Sequence, residues 1–174
     1  GEGRFINYST ENFEIPEAPA SDIMFVVDQS GSMDDDQTRL NNNFSYFISN
    51  LNSYTTDWQI IVGNNSGGCN NAGQVLTPTT AGYENAFQQA VRSGTDQNVN
   101  NPEALLKTAF NGVNNTDAGE CNYGFLREDA LLHVILVSDE PEQSGDWAAY
   151  TEGIVNKKDP LDLTKTKISA IAGD

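Results

Sequence analysis

Positively charged residues are scarce in this 174-residue chain, which has 9 Lys and Arg against 25 Asp and Glu and a formal net charge of −16. Nucleic-acid binding needs Lys and Arg to displace the counterions of the phosphates, so this balance argues against a nucleic-acid partner. It also disfavours docking on anionic lipid, and the sequence lacks an apolar run long enough to insert into a bilayer. We therefore expect a chain that attracts cations and basic partners.

Histidine and cysteine are also scarce, with one His and two Cys. A four-ligand zinc site is excluded for so small a set. His133 stands inside an apolar run with no Ser, Cys or acid at a catalytic spacing, so we interpret it as a residue of a strand. Cys69 and Cys121 each lie in a Gly- and Asn-rich segment, and we predict that they form one disulfide in an oxidising compartment. Two unrelated thiols are the alternative.

From residue 22 onwards, short apolar runs alternate with amphipathic segments. Residues 1–21 lack either period, and we predict an extended segment or linker there and a single domain over 22–174. The runs predict strands over 23–27, 58–62, 130–137 and 167–172. The amphipathic segments predict helices over 36–51, 83–91, 102–113 and 146–155. This alternation predicts an α/β fold with a doubly wound, mostly parallel sheet and helices on both faces.

Two of the predicted strands end in oxygen-bearing side chains. The first is followed by Asp28, Ser30 and Ser32, and the third by Asp139. The carboxyl ends of parallel strands meet at one edge of the sheet, where such folds bind ligands. Carboxylate and hydroxyl oxygens suit Mg²⁺, Mn²⁺ or Ca²⁺, and neutral serines would leave the ion with affinity for a further anion. We expect Gly31 to permit a tight turn between the serines. A helix-capping cluster is the alternative.

The stretch DIMFVVDQSGSM resembles the metal-ion-dependent adhesion site of von Willebrand factor type A domains, and HVILVSDE resembles the second acidic strand end of that family. The similarity covers residues 22–174, and GFLREDALLHVILVSDEPEQS resembles bacterial secreted or cell-surface members. The resemblance implies a doubly wound sheet and metal ligands at Asp28, Ser30, Ser32 and Asp139. It also implies a threonine ligand, for which Thr95 is the candidate and Thr80 the alternative.

The resemblance implies a secreted or cell-surface binding module rather than an enzyme. Its divalent cation, Mg²⁺ before Mn²⁺ or Ca²⁺, would complete its coordination with an Asp or Glu of a partner protein. One alternative is a structural subunit that self-assembles into a surface fibre, with the metal and the disulfide serving only stability. A metal-dependent hydrolase is a further alternative, although no general base and no Gly-rich phosphate loop with Lys is evident.

Two further predictions concern the end of the domain and the three consecutive acids near its start. The family's last helix and strand are not found after residue 172, where the sequence ends with an apparently central strand, so we expect them to be missing or supplied by another chain. The acids Asp34, Asp35 and Asp36 are expected to form the first turn of a helix, where the helix dipole favours them, rather than a second cation site.

Overall fold

The structure, a computed structural model, describes residues 20–92 and 104–172, and every structural statement below refers to these residues. It consists of four strands and four α-helices that alternate along most of the chain. In order, they are β1 (Ser21–Val27), α1 (Asp34–Asn52), β2 (Trp58–Val62), α2 (Tyr83–Val91), α3 (Leu105–Asn114), β3 (Leu131–Ser138), α4 (Trp147–Val155) and β4 (Thr166–Ala172). None of these helices combines the length and the apolar character that a membrane crossing needs.

The four strands form one all-parallel sheet in the order β2-β1-β3-β4. The chain first winds outward from β1 to β2 and then returns to build β3 and β4 on the other side, so the predicted doubly wound α/β fold is confirmed. The strand order reverses between β1 and β3, which makes their carboxyl ends the place where such a fold binds ligands. Within the described residues β4 pairs with β3 alone, and its interpretation as a central strand stays a prediction.

The sheet is covered on both faces because β1 is apolar at successive positions and buried on both sides. Ile23, Phe25 and Val27 face a core shared with α1 and α2, in which the rings of Phe44 and Phe87 stack at 3.6 Å between centroids. The alternate residues of β1 face a second core shared with α3 and α4. The result is a three-layer arrangement with β1 and β3 at its centre.

The predicted disulfide is confirmed, and it joins Cys69 in the loop after β2 to Cys121 in the loop after α3. Beside it, the buried side chain of Asn122 donates to the carbonyls of Gly68 and Gly112 and accepts from the backbone N–H of Asn70. Gly68 has φ +67°, and a Cβ there would lie 2.3 Å from the carbonyl oxygen of Thr108. The loop therefore reaches α3 closely only because glycine occupies this position.

The helix and strand boundaries lie within a few residues of those predicted. The largest difference is at α3, which begins at Leu105 instead of Pro102, although Pro102 and Glu103 lie outside the described residues. Asp146, predicted as the first residue of α4, instead caps it by accepting a hydrogen bond from the N–H of Ala149. α1 begins at Asp34, so the three consecutive acids occupy its first turn as predicted.

His133 in β3 provides the first testable prediction, a loss of stability in mild acid. Burial lowers the pKa of His133 to about 4 from an ordinary value of 6.5, and the positive charge of Lys167, its cross-strand partner in β4, acts in the same direction. The folded state thus disfavours the imidazolium, and stability falls as the pH drops from 6.5 towards 4. The full shift corresponds to about 3 kcal/mol, which solvent screening of the partly exposed ring reduces to about 1–2 kcal/mol.

Denaturant unfolding at a series of pH values measures this loss. The variant His133→Gln keeps a hydrogen-bonding group for the Ser169 hydroxyl, which lies 3.0 Å from Nε2, but it does not titrate. Its stability is expected to change less than that of the wild type between pH 6.5 and 4. Identical pH profiles for the two proteins would contradict the assignment.

Candidate metal site

The predicted site lies at the carboxyl edge of the sheet, between β1 and β3. Val27 is in register with Val137, and the backbone N–H of Asp28 donates to the carbonyl of Val137 at 2.9 Å. The hydroxyl of Ser138 then donates to Oδ2 of Asp28 at 2.7 Å. The ends of the two strands are thus joined through the Asp28 carboxylate, and Asp139 follows directly in the chain.

The loop after β1 folds around the same carboxylate. Oδ1 of Asp28 accepts the backbone N–H of Ser30 at 2.7 Å, and the hydroxyls of Ser30 and Ser32 lie 3.1 Å apart. Asp28 is 5% exposed, Ser30 is partly buried and Ser32 is exposed. The carboxylate therefore forms the floor of the site and the two hydroxyls form its rim.

The arrangement fits a small divalent cation. In an octahedral Mg²⁺ site with bonds of about 2.0–2.1 Å, neighbouring ligand oxygens lie about 2.9 Å apart, close to the separation of the two serine hydroxyls. Each Asp28 oxygen accepts one hydrogen bond from these groups and keeps a second lone pair for an ion or its water. Oδ1 of Asp139 is buried and has no hydrogen-bond partner among the described residues. A buried carboxylate oxygen of this kind is costly unless a cation or water satisfies it.

Four further side chains hold the site in place, and the sequence analysis missed all of them. Ser138 orients the Asp28 carboxylate, and Nε2 of Gln37, in α1, donates to the carbonyl of Asp28 at 2.9 Å. Oδ1 of Asn64, just after β2, accepts the N–H of Val27, and Nε2 of Gln29 donates to the carbonyl of Val91 at the end of α2. The position of Ser138 and Asn64 at or just beyond the ends of apolar strands is a sequence signal that would have found two of them.

Of the two candidate threonine ligands, the structure describes only Thr80. Thr95 lies outside the described residues. Thr80 bonds to Thr77 within a turn before α2. That turn lies towards the opposite edge of the sheet, because Tyr83 packs on Trp58, the first residue of β2. Among the described residues no contact joins Thr80 to Asp28, Ser30 or Ser32, so Thr80 stays the less favoured alternative.

Gly31 is not needed for the reason that the sequence indicated. Its φ lies outside the left-handed region, and a Cβ there would meet no atom within 4 Å. The segment Gly31–Met33 is instead an ordinary turn of 3₁₀-helix leading into α1. The serines are brought together by this turn, which residues other than glycine also adopt.

The described residues contain no group of three or more His, Cys, Asp and Glu side chains placed to share an ion. The predicted site contains only two acids and would depend on hydroxyl oxygens, so this finding bears on acid-rich sites and not on this one. Comparisons with known protein families and with curated proteins give no match for the chain. The geometry of the site therefore carries the functional argument.

Proposed function

We propose that the protein is a divalent-cation-dependent binding module for a partner protein that presents an Asp or Glu side chain. One observation carries the proposal: Asp28, Ser30 and Ser32 lie together at the switch point of the sheet, and Asp139, which has an orphaned carboxylate oxygen, follows Ser138 at the end of the neighbouring strand. The family resemblance of the sequence supports the same conclusion, and we propose on that basis that residues 22–174 form a von Willebrand factor type A domain.

The ligand set explains why the partner would be acidic. Asp28 and Asp139 contribute the only two formal charges of the proposed set, while Ser30 and Ser32 add neutral oxygens. A Mg²⁺ or Mn²⁺ ion held here would supply a positive charge and an open coordination position to an incoming carboxylate. Around the site, the chain otherwise repels acids, since the neighbouring first turn of α1 carries three aspartates. Binding of an acidic partner would therefore depend on the ion.

The setting we propose is a secreted or cell-surface one, with binding and not catalysis as the role. The disulfide between Cys69 and Cys121 is compatible with an oxidising compartment. Thr95 remains the proposed threonine ligand, because α2 ends at Val91, beside Gln29 and next to the site, and Thr95 follows four residues later in the sequence. Ca²⁺ is a third candidate ion, with longer bonds and a looser coordination shell.

Asp28→Ala is expected to abolish metal binding without unfolding the protein. The substitution removes a ligand and two hydrogen bonds, at a cost of about 1–3 kcal/mol, which is less than the usual stability of a domain. Calorimetric titration of Mg²⁺ and Mn²⁺ into chelator-treated protein measures the effect. One site is expected in the wild type and none in the variant, while Asp35→Ala, a neighbouring exposed acid, should bind as the wild type does. Equal metal binding by wild type and Asp28→Ala would contradict the proposal.

A fibre subunit is the second candidate, and one observation favours it. β4 has no strand neighbour beyond β3 among the described residues, so its outer edge offers backbone groups for a strand of another chain. Sedimentation of the wild type and Asp28→Ala separates the two roles. Mass that rises with concentration in both proteins, with or without chelator, favours the fibre subunit over the metal-dependent module.

A further inference from the structure

A polar groove of about 510 Å³ lies between α1 and α2, on the outside of the sheet and apart from the proposed metal ligands. The two helices run antiparallel along the groove. The side-chain amide of Asn41 donates to the backbone carbonyl of Gln88, and one turn away Arg92 donates to the hydroxyl of Thr38. The groove is lined by amides, one hydroxyl and one guanidinium: Thr38, Asn41, Asn42, Asn85, Gln88, Gln89 and Arg92.

The lining contains no acid, although the chain carries 25 of them. A cation would therefore find no negatively charged ligand in this groove. The lining has a single positive group, Arg92, one of whose N–H groups donates to Thr38, and the net charge of −16 of the chain opposes the approach of an anion. The groove is thus suited to a neutral polar ligand, whereas the proposed metal site is suited to charged ones.

Asn41 supplies a second, independent observation. Its side chain is 7% exposed, and its Oδ1 is buried with no hydrogen-bond partner among the described residues, although Nδ2 is paired with Gln88. A buried acceptor without a donor costs free energy that a ligand hydroxyl or a trapped water recovers. Asn41 is one of the residues that line the groove, where such a donor would come from.

Four more amides of the lining are available to a ligand. The side chains of Asn42, Asn85, Gln88 and Gln89 make no hydrogen bond within the described residues. Each primary amide offers two donors and an acceptor side by side, a pattern that matches the paired hydroxyls of a sugar ring. Tyr46, 72% exposed, lies one helical turn beyond Asn42 on α1 and adds an aromatic surface at that end.

We propose that this groove binds a neutral glycan, by hydrogen bonds between its side-chain amides and sugar hydroxyls. An uncharged extended peptide is a poorer fit, because it would need a free strand edge or a row of side-chain pockets. The binding would not involve the metal ligands, since none of Asp28, Ser30, Ser32 or Asp139 lines the groove. The inference therefore goes beyond the proposed metal-dependent binding function, and the experiment that tests it does not depend on that function.

Nuclear magnetic resonance on ¹⁵N-labelled protein tests the proposal, because it observes the Asn and Gln side-chain NH₂ groups directly. The probes are cellohexaose, mannohexaose and chitohexaose, added in the presence of a chelator. We expect saturable shifts in the NH₂ groups of Asn42, Asn85, Gln88 and Gln89 with at least one of the three sugars. The absence of saturable shifts with all three would overturn the proposal, as would shifts with an uncharged peptide and none with the sugars.

Matched variants locate the binding. Asn85→Ala combined with Gln89→Ala removes two exposed amides that make no hydrogen bond within the described residues, so the fold should be kept. We expect sugar affinity at least tenfold lower in this double variant and unchanged in Gln74→Ala, an exposed amide outside the groove. Equal affinity in the double variant and the wild type would overturn the proposal. Asp28→Ala should bind the sugar normally, which keeps this test separate from that of the metal site.

Discussion

Replacement of Asp22 by alanine is expected to lower the free energy of unfolding by about 3–5 kcal/mol, because it leaves the buried ammonium of Lys158 without its counterion and the partly buried guanidinium of Arg127 with only the exposed Asp57. Asp22, at the start of β1, is fully buried, and its two carboxylate oxygens accept the Nε–H and the backbone N–H of Arg127, each at 2.7 Å. Lys158, with a side chain 3% exposed, lies 3.8 Å from the same carboxylate and donates to the carbonyl of Arg127.

This cluster is costly to break although it is not a source of large net stability. Burial raises the pKa of Asp22 in spite of the hydrogen bonds from Arg127, so desolvation consumes much of the attraction between the charges. When one charged residue of the cluster is removed, the others still pay their desolvation cost but lose the electrostatic attraction that offset it. The cluster thus fixes the segment before β3 and the segment after α4 against the start of β1, at the end of the strands opposite the proposed metal site.

Asp57 provides a matched control, because it is a second partner of the same guanidinium. Its side chain is 68% exposed and pairs with Nη1 of Arg127. Asp57→Ala is expected to cost at most about 1 kcal/mol, as exposed ion pairs do. Urea unfolding of both variants measures the difference. Similar losses for Asp22→Ala and Asp57→Ala would show that burial does not set the strength of this cluster.

Loss of the disulfide is expected to cost about 4 kcal/mol. The bridge closes a loop between cysteines 52 residues apart, and the chain-entropy relation gives about 4 kcal/mol for a loop of that length. The native contacts around the bridge should survive, since the buried amide of Asn122 holds the same two loops together by three hydrogen bonds of its own. The loss is therefore expected in stability, with little change in the folded structure.

The double variant Cys69→Ser with Cys121→Ser measures this contribution by urea unfolding. Addition of a reductant should lower the stability of the wild type by a similar amount and leave the double variant unchanged. A loss below about 1 kcal/mol would mean that the unfolded chain is already restricted without the bridge.

Much of the fold was predictable because periodicity and burial agree along the chain. The continuous apolar runs over 23–27 and 130–137 indicated strands, which are found as β1 and β3, and β2 is found at the predicted residues. The place of β4 was less predictable, because its apolar residues are typical of a central strand, whereas among the described residues it pairs with β3 alone and Ile171 is 51% exposed. Strand order depends on long-range pairing, which a local pattern does not encode.

The site was predictable in part for the same reason. Asp28 and Asp139 follow apolar strands, which is a local signal, and the parallel sheet then brings the two strand ends together. The contribution of Gln37 and Gln29 was not visible, because each donates to a backbone carbonyl whose partner is fixed only by the packing of α1 and α2. The ion pair between Asp22 and Arg127 was not predicted, because the two residues are 105 positions apart and no local pattern distinguishes Arg127 from a solvent-exposed arginine.

The position of β1 in the sheet has a consequence for synthesis on the ribosome. Its first neighbour, β2, follows within about 40 residues, as in the contact of Val27 with Asn64 over 37 positions, but Asp28 and Ser138 are 110 positions apart. At about 5–20 residues per second, β1 waits several seconds longer for β3 than for β2. During that interval one edge of this apolar strand is open, and a nascent-chain chaperone would be most useful to this protein then.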